Sequence, residues 1–189
     1  LEAKLIECQE KGIGIDSITF SGDGEPTLNP DFAQIIDITL ELRDRYYPSA
    51  KVSVLSNSTR VCRDEVFQAL RKVDNPIMKL DAPTAELAAK INQPACEYDV
   101  PSIVADLKKF EGDFVLQTMF LRGNGFDSSS PEVLEGWMAI VRELRPREIM
   151  VYTLDRETPM KGLEKFTPEQ MAQMVRPLVE EGFRIQIKG

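Results

Sequence analysis

Apolar and polar residues alternate along this chain in blocks that predict strands and helices in turn. Short runs rich in β-branched and aromatic residues predict strands at 18–22, 51–56, 76–80, 114–121, 149–154 and 183–187. Stretches with apolar residues three or four positions apart predict helices at 1–10, 29–46, 64–72, 85–91, 101–110, 130–144 and from 167 onward. Because strands alternate with helices, we expect an α/β fold built on a parallel sheet.

Composition narrows the class of protein. A chain of 189 residues with 42% hydrophobic and 29% charged residues predicts a single soluble domain over 1–189. No apolar run approaches membrane-spanning length, so we expect no membrane partner. The net charge of −8 gives no basic footprint for nucleic acid and argues mildly against an RNA substrate. Three cysteines, odd in number and unevenly spaced, favour a cytoplasmic location.

The sequence contains no histidine. This removes the commonest general base, the nucleophile pairs that depend on histidine, and most zinc sites. We therefore name no catalytic residue and no metal ligand from the sequence. The chain begins at Leu1 inside a predicted helix, without a methionine, and we interpret it as a fragment.

Residues 18–28 form the most distinctive stretch, in which a predicted strand runs into Ser-Gly-Asp-Gly-Glu-Pro-Thr-Leu. Gly22 and Gly24 carry no Cβ, so the backbone can turn sharply and approach a ligand closely. Pro26 stiffens the exit and places Glu25 on a rigid corner. Taken alone, the turn is equally consistent with an ordinary acidic loop between a strand and a helix.

Polar residues recur where the predicted strands end, which is where open and closed parallel sheets alike bind their ligands. The residues at these ends are Asp23, Glu25, Ser56, Asn57, Asp81, Arg122, Thr153, Asp155 and Arg156. Each alone is consistent with a cap or a solvated charge, but together they predict one site. Lys79 shares a strand face with Asp81, which favours an ion pair. Gln117 interrupts an apolar strand, so its amide needs partners from the backbone or from a ligand.

These stretches carry a family resemblance. Residues 21–28 resemble the second-strand motif of the radical S-adenosylmethionine (radical SAM) enzymes. Four later pieces resemble the same family in the same order: Val54-Leu55-Ser56-Asn57, Lys79-Leu80-Asp81-Ala82, Leu116-Gln117-Thr118-Met119-Phe120-Leu121-Arg122-Gly123 and Val151-Tyr152-Thr153-Leu154-Asp155-Arg156. The ordered set, spanning about residues 12–160, is more specific than any single piece.

The resemblance implies a partial (βα)6 TIM-like barrel of parallel strands whose first strand is missing. It implies S-adenosylmethionine as cofactor, cleaved beside a [4Fe–4S] cluster to give a 5′-deoxyadenosyl radical that abstracts hydrogen from a substrate. Carried over by position, the cofactor-binding residues are Gly22, Asp23, Gly24 and Glu25 at the methionine amino group, Ser56 and Asn57 at the ribose or methionine end, Gln117 and Arg122 at ribose or carboxylate, Val151 to Thr153 at the adenine edge, and Asp81 deeper in the mouth.

The chain departs from the family in one respect: it has no C-x3-C-x2-C triplet. We therefore expect the cluster ligands to precede Leu1, and we interpret Cys8, Cys62 and Cys96 as ordinary cysteines. The fragment alone is then expected to hold no cluster and to be inactive. The resemblance implies an electron donor such as flavodoxin or ferredoxin, and leaves the substrate open among small molecules, peptides and RNA.

Two other classes stay open. A nucleotide-binding α/β module would use the Gly22–Gly24 loop, although Asp23 and Glu25 would repel a phosphate. A metal-dependent enzyme would use Asp23, Glu25, Asp81 and Asp155 as oxygen ligands for Mg2+ or Mn2+. If the strand ends form one site, Glu25, Asn57, Asp81, Arg122 and Asp155 must line one rim of the sheet. The edge beside residues 18–20 should be unpaired or covered only by the Leu1 helix, because the strand that belongs there is missing, and this makes a dimer through that edge plausible.

Overall fold

A computed structural model of the chain describes residues 1–22, 24–94, 98–155 and 161–189. The helices of this part are α1 (Glu2–Glu10), α2 (Phe32–Tyr46), α3 (Asp64–Leu70), α4 (Ala85–Asn92), α5 (Val100–Lys108), α6 (Pro131–Leu144) and α7 (Pro168–Glu180), with a 3-10 helix at Pro26–Leu28. The strands are β1 (Ser17–Phe20), β2 (Lys51–Ser56), β3 (Asn75–Lys79), β4 (Val115–Met119), β5 (Leu121–Gly123), β6 (Phe126–Asp127), β7 (Glu148–Tyr152), β8 (Glu164–Lys165) and β9 (Ile185–Lys188). None of the helices in the described ranges combines the length and the apolar composition needed to cross a membrane.

Six strands form a parallel sheet in the order β1-β2-β3-β4-β7-β9. In the pairs with resolved register, Ser17 lies opposite Lys51 and Val115 lies opposite Glu148. Helices connect the successive strands, as parallel pairing requires. β1 comes first in this order, and the described residues place no strand on its other side. The parallel α/β fold predicted from the sequence is confirmed.

By their internal contacts the described residues divide into unit 1, Leu1–Ile77, and unit 2, Met78–Gly189. The single domain over 1–189 therefore stays a prediction. In unit 1, α2 packs against α1, α3 and β2. Ile36 of α2 and Val52 and Val54 of β2 are completely buried, because alternate residues of β2 face the helices.

In unit 2 the core lies between α6 and strands β4 and β7. Trp137 of α6 is buried, and its Nε1 donates to Thr118 Oγ1 of β4 at 3.0 Å. Its ring meets Phe120 edge to face, with 5.2 Å between the ring centroids. Ile149 and Val151 of β7 are buried. The intervening residues of β7 therefore face the opposite side of the sheet.

The structure divides the strand predicted over 114–121. β4 ends at Met119, and the N–H of Phe120 donates to the carbonyl of Tyr152 at 2.7 Å. β5 then pairs antiparallel with β6 and β8 in a separate three-stranded sheet. The prediction that this strand runs to Leu121 is wrong. Leu121 pairs instead with Lys165 of β8, a residue far along the chain.

The N-termini of α7 and α6 are capped differently. Thr167 forms a full capping box at the start of α7, in which its hydroxyl accepts from Gln170 N and Gln170 Oε1 accepts from Thr167 N. Ser130 occupies the N-cap position of α6, but its hydroxyl donates to the carbonyl of Asp127 at 2.9 Å and caps no N–H. The hydroxyl of Ser130 therefore stabilises the turn before α6 and not the first turn of the helix.

Asp74 ties α2 to β2 within unit 1. Its Oδ2 accepts from Arg43 Nη1 at 2.8 Å and from Val52 N at 2.9 Å, and its Oδ1 accepts from Lys51 Nζ at 3.1 Å. Partial burial acts to raise the pKa of Asp74, but these three hydrogen bonds outweigh it and lower the pKa from 3.8 to about 2. Folding thus favours the ionised carboxyl.

Replacing this carboxylate tests its contribution to stability. Asp74→Asn should lower the free energy of unfolding at pH 7 by about 2 kcal/mol, since each pKa unit corresponds to about 1.4 kcal/mol. Because the folded-state pKa is depressed, this contribution is complete above the ordinary pKa and disappears as the pH falls towards about 2. Urea unfolding at several pH values measures the difference.

Asp44→Asn is the matched control, because exposed Asp44 also accepts from Arg43, from its Nε at 2.6 Å. It should change the free energy of unfolding by less than about 0.5 kcal/mol. Equal losses in the two variants, or a loss at Asp74 that does not vary with pH, would contradict the assignment.

Candidate functional site

Glu25 fixes the corner that follows β1. It is the N-cap residue of the 3-10 helix, and its Oε1 accepts from Thr27 N at 3.1 Å and from Thr27 Oγ1 at 2.6 Å. Its Oε2 accepts from Asn57 N at 2.6 Å. The carboxylate therefore joins the loops that follow β1 and β2, and each of its oxygens already has a partner.

Gly22 and Gly24 border open space. A Cβ built on either glycine would meet no atom within 4 Å, and neither residue has a positive φ. Packing within the described residues therefore does not require glycine at these two positions. Both line a cavity of about 420 Å³ in unit 1, together with Glu25. Asp23, predicted as a site residue between the two glycines, lies outside the described residues.

Ser56 and Asn57 end β2 with two successive side-chain turns. The buried Ser56 Oγ accepts from Ser58 N at 3.1 Å, and Ser58 has a φ of 69°. Asn57 Oδ1 accepts from Thr59 N at 3.0 Å and from Thr59 Oγ1 at 2.7 Å. The side-chain nitrogen Nδ2 of Asn57 makes no hydrogen bond with the described part of the chain. Asn57 is exposed, so this donor is accessible to a ligand.

Asp81 and Lys79 form the ion pair that the sequence favours. The side chain of Asp81 is completely buried, while that of Lys79 is 26% exposed. Asp81 Oδ2 accepts from Lys79 Nζ, and its Oδ1 accepts from Met119 N at 2.8 Å. Lys79 Nζ also donates to Asn92 Oδ1 at 3.2 Å. Burial lowers the pKa of Lys79 to about 8. Asp81 thus positions a lysine and the end of β4.

Gln117 lies half-buried on β4, with its Cα opposite Met150 of β7. Its carbonyl accepts from Leu80 N at 3.0 Å. Its side-chain amide makes no hydrogen bond within the described ranges, and the residue lines a cavity of about 320 Å³ in unit 2. The amide of Gln117 is therefore open to solvent or to a ligand in this cavity, and its role in cofactor binding stays a prediction.

The segment following β7 lines the same cavity, which includes Val151, Tyr152, Thr153 and Asp155. The side chain of Val151 is buried, and Thr153 Oγ1 donates to Phe120 O at 2.8 Å while accepting from Phe166 N at 3.2 Å. The side chains of Val151 and Thr153 therefore contribute to packing and to hydrogen bonds within the protein. Burial raises the pKa of Tyr152 to about 12, so its phenol stays protonated at neutral pH.

Arg122 lies on β5 and not at the end of a strand of the large sheet. Its guanidinium carbon stands 4.5 Å from the centroid of the Phe166 ring. This cation–π contact gives Arg122 a partner within the protein. Arg156, at the next predicted strand end, lies outside the described residues, as does Cys96.

The sequence analysis did not name every charged residue that lines a cavity. Lys165 and Lys188 line the cavity of unit 2, and Arg60 and Arg63 line another cavity in unit 1. Alternation along β9 could have placed Lys188 beside Tyr152, its register partner on β7. The single rim joining Glu25, Asn57, Asp81, Arg122 and Asp155 includes residues of both units and stays a prediction.

Comparison with known proteins begins with the sequence. No family model matches this chain. GTPase Obg of Brachyspira hyodysenteriae is 28% identical over 161 residues, which make up 83% of this chain and 22% of that protein. UPF0026 protein slr1464 of Synechocystis is 26% identical over 155 residues, which make up 80% of this chain and 54% of that protein. The chain thus spans about half or less of these curated relatives.

Solved structures match at lower identity over more of the chain. A domain of pyruvate-formate lyase-activating enzyme from Bacteroides vulgatus has a TM-score of 0.65 at 18% identity, covering 91% of this chain and 98% of that one. A radical SAM methyltransferase from Sphaerobacter thermophilus has a TM-score of 0.72 at 16% identity, covering 98% and 54%. SuiB from Streptococcus suis, bound to S-adenosylmethionine, has a TM-score of 0.72 at 14% identity, covering 100% and 42%. The chain has the radical SAM partial-barrel fold, and the resemblance predicted from its motifs is confirmed at that level.

The ion pair beside β4 makes a prediction about stability. Asp81→Asn should lower the free energy of unfolding by about 3 kcal/mol, because it leaves the charge of Lys79 without its buried partner. The double variant Lys79→Met/Asp81→Asn should recover most of this loss, since no buried charge remains and the side chain at position 81 keeps an oxygen that can accept from Met119 N. Urea unfolding at pH 7 measures both variants.

Asp99→Asn is the control, because Asp99, like Asp81, is a carboxylate that accepts a hydrogen bond from a main-chain N–H. Asp99 caps α5 by accepting from Ser102 N, a role that Asn fills equally well, so the change should be small. A double variant no more stable than Asp81→Asn would show that the loss has a cause other than an unpaired buried charge.

Proposed function

We propose that this chain is the S-adenosylmethionine-binding core of a radical SAM enzyme. The observation that carries the proposal is the amide of Gln117, which has no hydrogen-bond partner in the described residues and lines the unit 2 cavity. The fold supports it, since ligands of parallel α/β barrels bind at the carboxyl ends of the strands. SuiB, which shares the fold, is bound to S-adenosylmethionine.

In unit 1, the corner at Glu25 could accept hydrogen bonds from an ammonium group of a ligand. An ammonium group needs hydrogen-bond acceptors, and main-chain carbonyls beside Gly22 and Gly24 are approachable because no side chain covers them. Glu25 would hold the corner in place while its negative charge stabilises the ammonium. Asn57 would donate from its side-chain nitrogen Nδ2 to an oxygen of the ligand.

In unit 2, the cavity is proposed to receive the nucleoside end. The main chain of Val151 to Thr153 would present the edge that adenine pairs with, while Gln117 would bond the ribose hydroxyls. Tyr152 is protonated at neutral pH and can donate from its phenol. Asp81 would act through Lys79, whose side chain remains partly exposed.

A [4Fe–4S] cluster would need suitably grouped side chains to hold it. The described residues include no group of three His, Cys, Asp or Glu side chains able to hold a metal ion. Cys8 is buried in α1 and Cys62 is exposed before α3. These cysteines do not fit a [4Fe–4S] cluster, so we assign no reaction step to one. Radical generation, the substrate and a flavodoxin or ferredoxin donor remain proposals for the whole enzyme.

The relative named GTPase Obg raises a competing function, but the sequence lacks its central requirement. A GTPase phosphate-binding loop needs a Gly-Lys-Ser or Gly-Lys-Thr sequence, and this chain contains neither. The alignment also covers only 22% of that relative. We therefore do not transfer GTP binding to this chain.

Gln117→Leu tests the cofactor site directly. It should weaken S-adenosylmethionine binding about tenfold, since one good hydrogen bond is lost. It should move the thermal midpoint by no more than about 2 °C, because no protein partner of the amide is left behind. Calorimetric titration and thermal unfolding measure the two effects.

Gln173→Leu, an exposed change on α7, should alter neither quantity. A fall in thermal midpoint without a change in affinity would make Gln117 structural. Equal binding of S-adenosylmethionine and ATP by the unmodified chain would contradict the proposed function.

A further inference from the structure

Unit 1 contains another cavity that the proposed cofactor site does not use. It has a volume of about 290 Å³ and is bordered by the start of α2 and by the loop between β2 and α3. Arg60, Arg63 and Glu65 supply its charged side chains, and Thr27 and Ala33 are among the other wall residues. We call it the arginine cavity.

The charges in this cavity are not balanced within the described residues. Arg63 lies 3.9 Å from Glu65, a long separation between two exposed side chains. Arg60 is half-buried, and its guanidinium makes neither an ion pair nor a hydrogen bond within the described ranges. By contrast, Arg43, also largely covered, is bound to Asp74. A half-buried guanidinium without a partner is costly unless a ligand supplies the missing acceptors.

The start of α2 also borders the cavity and adds main-chain donors. Asp31 occupies the N-cap position without a side-chain cap, and Ala33 in the first turn borders the cavity. Main-chain N–H groups of a first helical turn favour an anion. They supplement the arginines, which supply the charge and can bond two oxygens of one anion at once.

We propose that the arginine cavity binds a phosphate monoester, with Arg60 as the principal ligand and Arg63 as the second. Four oxygens bonded to one phosphorus occupy less volume than four water molecules, which take roughly 120 Å³ in the liquid. The rest of the cavity, about 290 Å³ in all, then accommodates part of the group that carries the phosphate. Free phosphate is the simplest occupant with the same chemistry.

The site lies beside the corner at Glu25 but does not depend on cofactor binding. Thr27 borders the arginine cavity and donates its hydroxyl to Glu25 Oε1 at 2.6 Å. Thr27 would therefore lie between a bound phosphate and the corner at Glu25. Phosphate binding can be measured without S-adenosylmethionine, so failure of one proposal leaves the other intact.

Nuclear magnetic resonance titration of the ¹⁵N-labelled chain tests the proposal. Inorganic phosphate and adenosine monophosphate are added separately, with sodium chloride at matched ionic strength as the baseline. Saturable shifts are expected at the amides of Ala33 and Arg60, with tighter binding of the monophosphate. Arg60→Gln should weaken binding at least about tenfold, and Arg63→Gln by less.

Arg71→Gln is the matched control, because Arg71 is exposed at the end of α3 and outside the cavity. It should leave the affinity unchanged, and thermal unfolding without phosphate verifies that each variant is folded. No saturable shift in the unmodified chain, or equal affinity in Arg60→Gln, would overturn the proposal. Equal binding of the two probes would keep the site and assign it to free phosphate.

The pH dependence provides an independent readout. A phosphate monoester loses its second negative charge near pH 6, so affinity should fall from about pH 7.5 to about pH 5.5. The chain contains no histidine to titrate in this range, and its own negative charge of −8 weakens at lower pH, which acts in the opposite direction. Affinity that rises at the lower pH would contradict a doubly charged ligand.

Discussion

Main-chain N–H groups at the ends of parallel strands need acceptors once the ladder stops, and this requirement organises the candidate site. Beyond the last paired residue, a buried N–H without a partner costs about as much as a lost hydrogen bond. Here carboxylates accept from N–H groups at strand ends in each unit, an exposed one just after β2 and a part-buried one in the last residue of β4. Glu25 accepts from Asn57 N in unit 1, and Asp81 accepts from Met119 N in unit 2. The polar residues at these strand ends therefore belong first to the fold.

This structural role changes which atoms can contact a ligand. Both oxygens of Glu25 and of Asp81 have protein partners, so neither carboxylate is a free acceptor. Accessible groups among the described residues include the side-chain amides of Gln117 and Asn57 and the ammonium groups of Lys165 and Lys188. They are neutral or cationic donors. A cofactor with hydroxyl and carboxylate oxygens, as S-adenosylmethionine has, suits such donors better than a metal ion does.

The sequence predicts the repeating part of the fold well, because local periodicity determines it. The strand at 51–56 has the observed bounds, and the helix predicted over 130–144 differs only at Ser130. The three-stranded sheet was missed because β5 pairs with β8, a partner that no local pattern reveals. The same limit applies to the site. Strand alternation identified the pair of Lys79 and Asp81, whereas the partners of Glu25 depend on how two loops approach each other.

The arginine cavity shows where discrimination between substrates can arise in such a fold. A fold shared by many enzymes cannot by itself distinguish their substrates, so specificity resides in the loops that differ. The loop after β2 is held at its start by the bond from Asn57 N to Glu25, and three residues later it presents Arg60. A fixed loop loses little conformational entropy when it binds a ligand. The contact that shapes the corner at Glu25 therefore also preorganises the neighbouring anion site, and Asn29 and Phe32 line both cavities.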